Sequence, residues 1–276
     1  MPHVTVILPT WNRAKWLKKS VESVLSQTFQ DFELIVVDDA STDSTEKILE
    51  SYSGKIRTIL LPENLGVSVA RNTAIVQSDS KWIAFLDSDD IWHAEKLEKQ
   101  IKQTRLFPEC QIHFTDEIWI RNGIRVNPKY KHQKREGWIY KPSLALCLMA
   151  PSTVMLHRGL LERHGMFDEA LPVCEDYDFW LRLTAYHPVA LLNEKLMTRY
   201  GGHSDQLSRK LWGIDRFRVQ SLHKILSQEN LRSGDQTAAI RMLRKKCEIL
   251  IKGLRNRGKM KEIHVYQHIA QKYSDI

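Results

Sequence analysis

The sequence predicts an α/β fold in which a mostly parallel sheet is flanked by helices and followed by a basic, helical C-terminal extension. In the first 120 residues, short apolar and β-branched runs alternate with segments of helical periodicity. Continuous apolar strands of this kind are typical of parallel sheets that helices cover on both faces. With 276 residues, 42% of them hydrophobic, the chain is long enough for one large domain, alone or with an extension.

Five strands and four helices are expected in this first part. The strands are VTVIL, FELIVVDD, IRTILL, WIAFLD and QIHFTDEIWI, in chain order. The helices between them are predicted at about residues 15–26 and in STDSTEKILESY, GVSVARNTAIVQS and HAEKLEKQIKQTRLF.

The second part of the chain is less regular. Residues 121–141 are basic and aromatic with weak periodicity, so we expect a long loop or short irregular strands. STVMLHR predicts a strand, and CEDYDFWLRLTAYHP an amphipathic helix that Pro188 ends. Beyond RYGGHSDQLS the chain is predicted to be helical.

Charge is distributed unevenly around the net value of +8. Residues 206–276 contain 16 Lys and Arg against 6 Asp and Glu, a net +10, whereas residues 1–205 contain 25 and 27, a net −2. A basic region of this kind can contact nucleic acid, anionic lipid headgroups or an acidic partner, or it can be a solvated helical surface.

Cysteine usage and hydropathy indicate the compartment. The four cysteines are scattered without a CxxC pair, which argues against a structural zinc site or a disulfide framework. The N-terminal residues predict a strand rather than a signal peptide, and no stretch approaches the ~18–20 apolar residues of a membrane span. We therefore expect a cytoplasmic protein.

Polar residues follow three of the predicted strands: residues 9–11, Asp38 with Asp39, and residues 87–90. Because ligands bind beyond the carboxyl ends of parallel strands, these residues are expected to converge on one edge. A helix cap can explain one acidic strand end. Two acidic strand ends that face each other repel, so they require a cation or hydrogen-bond donors from a ligand between them. An Asp-x-Asp sequence at this edge suits Mg²⁺ or Mn²⁺ shared with a diphosphate.

Two common nucleotide-binding signatures are absent from the sequence. Neither GxGxxG after the first strand nor GxxxxGK[ST] occurs, which argues against a dinucleotide oxidoreductase and a P-loop enzyme. The turn PTWNRAKW after the first strand offers an indole for stacking rather than a glycine-rich nest.

Four sequence blocks in order resemble the family 2 nucleotide-sugar glycosyltransferases with the GT-A fold. They are VTVILPTWNRAKWLKKSVESVLSQTFQDFELIVVDDASTDST, ENLGVSVARNTA, WIAFLDSDD and EDYDFWLRL, and together they span residues 1–183. The resemblance implies a GT-A domain at 1–205, with a nucleotide-binding half at 1–120 and an acceptor and catalytic half at 121–205, before an extension at 206–276.

The resemblance also implies the reaction. It is an inverting, metal-dependent transfer of a sugar from a nucleoside diphosphate, UDP being the expected nucleotide, to a hydroxyl acceptor in surface polysaccharide or glycolipid assembly. The implied partners are the sugar nucleotide, a glycan or lipid-linked acceptor and Mn²⁺ or Mg²⁺. No nucleic acid is expected.

Nucleotide-binding roles follow by resemblance for seven residues: Pro9, Thr10, Trp11, Arg13, Asp39, Arg71 and Asp87. Within this set, Asp39 matches an aspartate that hydrogen-bonds the nucleobase, and Asp87 matches a position near the ribose. The alternative for Arg71 is an arginine on a helix surface.

Metal-binding roles follow for the acidic strand end. Asp89 matches the metal ligand, and Asp90 either assists it or caps the next helix. His203, in a loop after two glycines, either completes the metal shell or is a polar surface residue.

Asp176 matches the general base. An inverting transfer needs a carboxylate to take the proton of the attacking hydroxyl, on the face opposite the leaving diphosphate. Glu175 and Arg199 are expected near the donor and acceptor, with Arg199 a candidate for the charge of the leaving group. The alternative for the acids in EDYD is that they favour the start of a helix.

The basic extension leaves two questions open. Its helices are candidates for peripheral contact with the inner face of a membrane. Its apolar positions, Ile240, Leu243, Ile249 and Leu250, either close a core or form an oligomer interface.

Three other functions are weaker alternatives. A sugar nucleotidyltransferase usually needs a basic, glycine-rich loop near the N-terminus, which is missing. A nucleic-acid-binding protein could use the basic extension, but no reader motif is present. A non-catalytic nucleotide-binding relative is disfavoured because Asp39, Asp89 and Asp176 occur together.

Overall fold

The computed structural model of the protein describes residues 1–202, 211–228 and 230–273. Within these ranges the chain forms nine strands and ten α-helices. The strands are β1 Val4–Thr10, β2 Phe32–Asp38, β3 Arg57–Leu60, β4 Trp82–Phe85, β5 Ile91–Trp92, β6 Ile112–Arg121, β7 Ile124–Val126, β8 Val154–His157 and β9 Val189–Gly201. The helices are α1 Ala14–Leu25, α2 Thr45–Glu50, α3 Val67–Val76, α4 Lys96–Leu106, α5 Tyr140–Ser143, α6 Gly159–His164, α7 Glu175–Thr184, α8 Asp215–Gln228, α9 Ser233–Arg255 and α10 Met260–Gln271.

All nine strands belong to one sheet, in the order β3-β2-β1-β4-β8-β6-β9-β5, with β7 paired to β6. The pairs β1–β2, β2–β3, β1–β4 and β6–β9 are parallel. Strand β8 lies between β4 and β6 and is antiparallel to both. The pairs β5–β9 and β6–β7 are antiparallel as well. The predicted α/β class is confirmed, and the sheet is mixed: β8 joins a parallel part, β3-β2-β1-β4, to a part in which only β6 and β9 are parallel.

Helices cover both faces of the sheet, as the apolar strands predicted. Successive residues of a strand point to opposite faces, so β1 supplies Ile7 to one core and Val6 and Leu8 to the other. The first core includes residues of α3, α6 and α7, and the second includes residues of α1, α2 and α4. Every residue of β1 is buried. The sheet therefore holds the carboxyl ends of β1, β2 and β4 rigidly at one edge.

Strand β9 was not predicted from the sequence. It is interrupted in its middle by Asn193, Glu194 and Lys195, which are exposed, so its two apolar runs are short. At this point its register with β6 shifts on either side of Asp116. The chain bulges locally, and bulges of this kind often re-aim side chains next to active sites.

The C-terminal helices share a core with the body of the protein. Val219 and Leu222 of α8 and Leu243 of α9 pack with Tyr177 and Leu181 of α7. Of the four apolar positions noted in the sequence, Ile240, Leu243 and Leu250 are buried, and Ile249 is 52% exposed. Three of them close a core, and Ile249 faces outward.

Two lysines of the extension are used inside the fold. Lys224 donates to Asp168 at 2.7 Å and to the buried Asp178 at 2.9 Å. Lys246 is 5% exposed and donates to Asp215 at 2.9 Å and to the carbonyl of Ala145 at 3.0 Å. Part of the basic charge therefore holds α8 and α9 against the body. No helix in the described ranges combines the length and the apolar character that crossing a bilayer requires.

Leu222→Ala tests whether the extension folds with the body. Leu222 is fully buried in the shared core, so its truncation is expected to lower the unfolding free energy by about 2–5 kcal/mol. The half-exposed Ile249→Ala is the control, with an expected change below about 0.5 kcal/mol. The measurement is denaturant unfolding followed by tryptophan fluorescence and circular dichroism. Two separated transitions would contradict a shared core.

Candidate active site

A cavity of about 600 Å³ opens at the carboxyl edge of the parallel strands. The polar strand ends converge here as predicted, since the residues after β1, β2 and β4 line one wall. Asp38 does not line the cavity, and its carboxylate accepts hydrogen bonds from the backbone N–H and the hydroxyl of Ser41. Twelve of the thirteen sequence-predicted site residues line the cavity: Pro9, Thr10, Trp11, Arg13, Asp39, Arg71, Asp87, Asp89, Asp90, Glu175, Asp176 and Arg199. The thirteenth, His203, lies outside the described residues.

The end of β1 is shaped by a proline. Pro9 lies in a central strand, where its missing N–H would ordinarily break a ladder hydrogen bond. The backbone nitrogen of Pro9 faces β4, and β4 pairs with β1 only as far as Ile7. The missing N–H therefore costs no hydrogen bond of the sheet. The chain then turns through Thr10 and Trp11 into the cavity, and Trp11 remains 36% exposed.

Thr10 and Asp39 form a polar floor at this end of the cavity. The Thr10 hydroxyl is buried and has no hydrogen-bond partner among the described residues. A buried hydroxyl without a partner is costly, and a polar ligand would satisfy it. The two carboxylate oxygens of Asp39 accept the backbone N–H groups of Leu65 at 2.7 Å and Gly66 at 2.8 Å. Asp39 therefore fixes the N-terminus of α3, and its oxygens retain further acceptor capacity.

Arg71 connects two walls of the cavity. Its guanidinium donates to Asp87, after β4, at 2.7 Å and to Glu175, at the start of α7, at 2.8 Å. The side chain is 3% exposed, so it is not the surface arginine that the sequence left as an alternative. Burial acts to lower the pKa of Arg71, but the two carboxylates raise it, and the residue stays charged. Arg71 therefore holds the acidic strand end and α7 in one arrangement.

The acidic strand end is itself held in place. Asp90 is buried and accepts the Ser152 hydroxyl at 2.7 Å and the backbone N–H of Tyr200 at 3.2 Å. The Ser20 hydroxyl of α1 bonds the carbonyls of Ser88 and Asp90. Asp90 does not cap the next helix, because α4 begins only at residue 96. Burial, followed by the neighbouring carboxylates, raises the pKa of Asp90.

All three carboxylates of this turn line the cavity, and Asp90 is the most buried of them. Asp87 pairs with Arg71, and both oxygens of Asp90 accept protein hydrogen bonds. Asp89 is half-buried and lines the cavity between them. No group of three or more His, Cys, Asp or Glu side chains in the described residues is arranged to hold a metal alone. One carboxylate completed by diphosphate oxygens and water nevertheless fits Mg²⁺ or Mn²⁺.

Asp176 lies across the cavity in the first turn of α7. Cys174 precedes this helix in the left-handed conformation, with φ 63°, and the Asp176 carboxylate accepts the N–H of Tyr177 at 2.6 Å. The Cys147 thiol lies beside Asp176, and burial and that carboxylate raise the thiol pKa. A neutral thiol thus faces the carboxylate. Asp178, the third acid of this turn, is buried in ion pairs with Arg182 and Lys224 and does not line the cavity.

The far wall contains residues that sequence reasoning did not identify. Glu117 pairs with Lys134 at 2.6 Å, and Lys134 also donates to the carbonyl of Leu148 at 2.8 Å. The guanidinium carbon of Arg199 lies 5.8 Å from the centroid of the Trp119 ring. The basic and aromatic segment at 121–141 gave a signal for Lys134, but the bulge that aims Glu117 and Trp119 inward has no local sequence signature.

Arg199 supplies a positive charge to the cavity wall, and the residue is exposed to solvent. Burial acts to lower its pKa, but surrounding carboxylates outweigh this and raise it, Glu117 and Asp90 most strongly. Arg218 and Ile214 complete the wall, so the C-terminal extension contributes to the cavity as well as to the core.

Arg71→Met tests the connection between the two walls. Removing one partner of a buried ion pair leaves uncompensated charge, so the unfolding free energy is expected to fall by about 3–5 kcal/mol. The control is Arg57→Met, an exposed arginine that bonds Gln77, with an expected change below about 0.5 kcal/mol. Both are measured by denaturant unfolding. Equal, small changes in the two variants would contradict the bridging role.

The model of the family described as Glycosyl transferase family 2 matches residues 5–138 of this chain. It is 32% identical, over 234 residues, to the Bacillus subtilis (strain 168) protein named putative teichuronic acid biosynthesis glycosyltransferase TuaG; the match covers 80% of this chain and 90% of the relative. It is 35% identical, over 191 residues, to the Escherichia coli UDP-Glc:alpha-D-GlcNAc-diphosphoundecaprenol beta-1,3-glucosyltransferase WfgD, covering 69% of this chain and 73% of the relative.

Solved structures show the same fold. S. aureus TarS 1–349 in complex with UDP-GlcNAc matches with a TM-score of 0.67 at 20% identity, over 98% of this chain and 91% of TarS 1–349. Mannosyltransferase PcManGT from Pyrobaculum calidifontis, in complex with GDP-Man and Mn²⁺, matches with a TM-score of 0.62 at 16% identity, over 99% and 84% of the two chains. The fold is therefore the GT-A fold, and the chain belongs to glycosyl transferase family 2 and is a glycosyltransferase.

Proposed function

We propose that the protein is an inverting, metal-dependent glycosyltransferase that moves a sugar from a UDP-sugar to a hydroxyl of a lipid-linked glycan. The observation that carries the proposal is the single cavity that the acidic strand end and Asp176 share, joined by the Arg71 ion pairs to Asp87 and Glu175. An inverting transfer needs a carboxylate base on one side of the sugar and a site for the leaving diphosphate on the other.

The nucleotide is proposed to bind at the end of β1. The exposed indole of Trp11 offers a stacking face, and the Thr10 hydroxyl has no hydrogen-bond partner within the described part of the chain. Asp39 keeps acceptor capacity for a base N–H. Arg13 and Pro9 complete this end. UDP is preferred because WfgD is named for UDP-Glc and the TarS complex contains UDP-GlcNAc. The PcManGT complex contains GDP-Man, so the fold alone does not select the base.

Asp176 is proposed to act as the general base. Its carboxylate would take the acceptor proton as the hydroxyl attacks the anomeric carbon. The neutral Cys147 thiol beside it adds no competing charge. Arg199 is proposed to attract the leaving diphosphate, since its own positive charge is maintained by the carboxylates around it.

The metal would be held by Asp89, with Asp90 fixing the turn. When bound, a divalent cation offsets the negative charge that grows on the leaving diphosphate. Support for a metal comes from the donor chemistry at Asp89 and from the Mn²⁺ in the PcManGT complex.

The acceptor is proposed to be a glycan on a lipid diphosphate, in surface polysaccharide or glycolipid assembly. Support comes from the names of WfgD, which acts on a GlcNAc-diphosphoundecaprenol, and of TuaG, which concerns teichuronic acid. The proposed location is the cytoplasm, at the inner face of the membrane that carries such an acceptor.

Asp176→Asn tests the base. Loss of general base catalysis is expected to lower kcat by about 10²–10⁴-fold, with the KM for the UDP-sugar nearly unchanged. The assay follows UDP release with UDP-Glc or UDP-GlcNAc and an alkyl-diphospho-GlcNAc acceptor, and the exposed Asp79→Asn is the matched control. A variant with wild-type kcat would contradict the assignment. A product with the donor's anomeric configuration would contradict inversion.

A further inference from the structure

An aromatic and basic cluster lies where the segment before α8 meets the connection between α9 and α10. Three cations lie near the centroid of the Trp212 ring: the guanidinium carbon of Arg216 in α8 at 4.2 Å, that of Arg257 at 5.1 Å and the Nζ of Lys259 at 4.8 Å. These four residues, the Trp212 cluster, bring together segments that are more than 40 residues apart. Trp212 is 37% exposed, so the cluster is open to solvent.

The positive charge of this cluster is poorly balanced. In the ranges that the structure describes, no carboxylate forms an ion pair with Arg216 or Arg257, and Lys259 reaches Glu262 at 3.4 Å in an exposed pair. By contrast, Lys224 of α8 and Lys246 of α9 form ion pairs with aspartates. Three cations around one indole repel one another, and an external anion would stabilise the arrangement.

The cluster lies beside the cavity. Gly213, with φ 65°, turns the chain from Trp212 to Ile214, which lines the cavity wall. On α8, Arg216 belongs to the cluster, and Arg218, two residues further on, lines the cavity. The cluster and this part of the cavity wall are therefore formed by neighbouring residues of the chain.

The exposed apolar groups favour a lipid surface over a dissolved anion. Met260 follows Lys259 directly and is 59% exposed, and Trp212 presents its ring between cations. Indole rings with adjacent Lys and Arg are typical of surfaces at the bilayer interface, where the ring enters the headgroup region and the cations meet lipid phosphates. A site for a soluble phosphate needs the cations but not the apolar side chains.

We propose that the Trp212 cluster docks the protein on anionic phospholipid headgroups, and that the bilayer then lies next to the segment that forms this wall of the cavity. The meaning of this docking rests on the proposed function, because a lipid-linked acceptor would then arrive at the cavity from the membrane. The docking itself is measured without any sugar or acceptor.

The experiment is sedimentation of the full chain with phosphatidylcholine vesicles that contain or lack phosphatidylglycerol. The wild-type protein is expected to bind the phosphatidylglycerol vesicles, and added salt is expected to weaken this binding. Each Lys or Arg at an anionic surface contributes about fivefold in affinity, so R216Q/R257Q/K259Q is expected to bind about a hundredfold more weakly. R257Q alone, an exposed change, is expected to lose about fivefold.

The matched control is R241Q/R244Q/K245Q. It removes the same charge from exposed positions of α9 that are more than ten residues from Arg257 along the chain. The control is expected to retain most vesicle binding. Equal losses in the two triple variants would overturn the proposal, because diffuse charge would then explain the binding. Binding to RNA without vesicle binding would also overturn it.

Titration with UDP separates this proposal from the proposed function. The variant R216Q/R257Q/K259Q is expected to bind UDP as the wild-type protein does, since none of its three substituted residues lines the cavity. Loss of UDP binding in that variant alone would overturn the docking role and assign the cluster to the donor site. Failure of the wild-type protein to bind UDP would count against the proposed function, and the vesicle result would still stand.

Discussion

The ion pairs of Arg71 are the interaction on which the rest of the site depends. Asp87 belongs to the acidic turn after β4, Glu175 opens α7, and a single buried guanidinium joins them. Without this cation, two carboxylate-bearing walls would face each other in a partly desolvated cavity. Asp39 adds a second constraint, because it anchors the N-terminus of the helix that carries Arg71. The sheet edge, α3 and α7 are thus held in one geometry before any ligand binds, which limits the reorganisation that binding requires.

The C-terminal helices contribute both to the core behind the cavity and to the cavity wall. They bury Leu222 and Leu243 against α7, the helix that bears Asp176, and they add Arg218 to the cavity wall. The basic charge of this region has two distinct uses. Lys224 and Lys246 are paired with aspartates inside the fold, whereas the cations around Trp212 remain on the surface. A net charge counted along the sequence cannot separate these uses, because pairing depends on partners brought from distant segments.

The first half of the fold was predictable from the sequence, because each element has its own local pattern. Apolar β-branched runs gave β1, β2 and β4, and their polar ends gave the cavity wall with Asp39 and Asp89. The second half was less predictable. Strand β9 is interrupted by polar residues at a register shift, and the positions of Glu117 and Arg199 follow from that pairing rather than from nearby residues. The bridging role of Arg71 joins residues 104 positions apart, so no local pattern could reveal it.

The central claim is that the carboxyl edge of the sheet binds a nucleoside diphosphate through a metal held by Asp89. Calorimetric titration with UDP, GDP and dTDP, each with and without Mn²⁺, tests it most directly. The account predicts that UDP binds in the presence of Mn²⁺, and that Asp89→Asn weakens this binding by about tenfold or more without lowering the melting temperature. UDP affinity that is the same with and without Mn²⁺, or unchanged in Asp89→Asn, would contradict the metal assignment. Absence of binding by all three nucleotides would contradict the assignment of this cavity as the donor site.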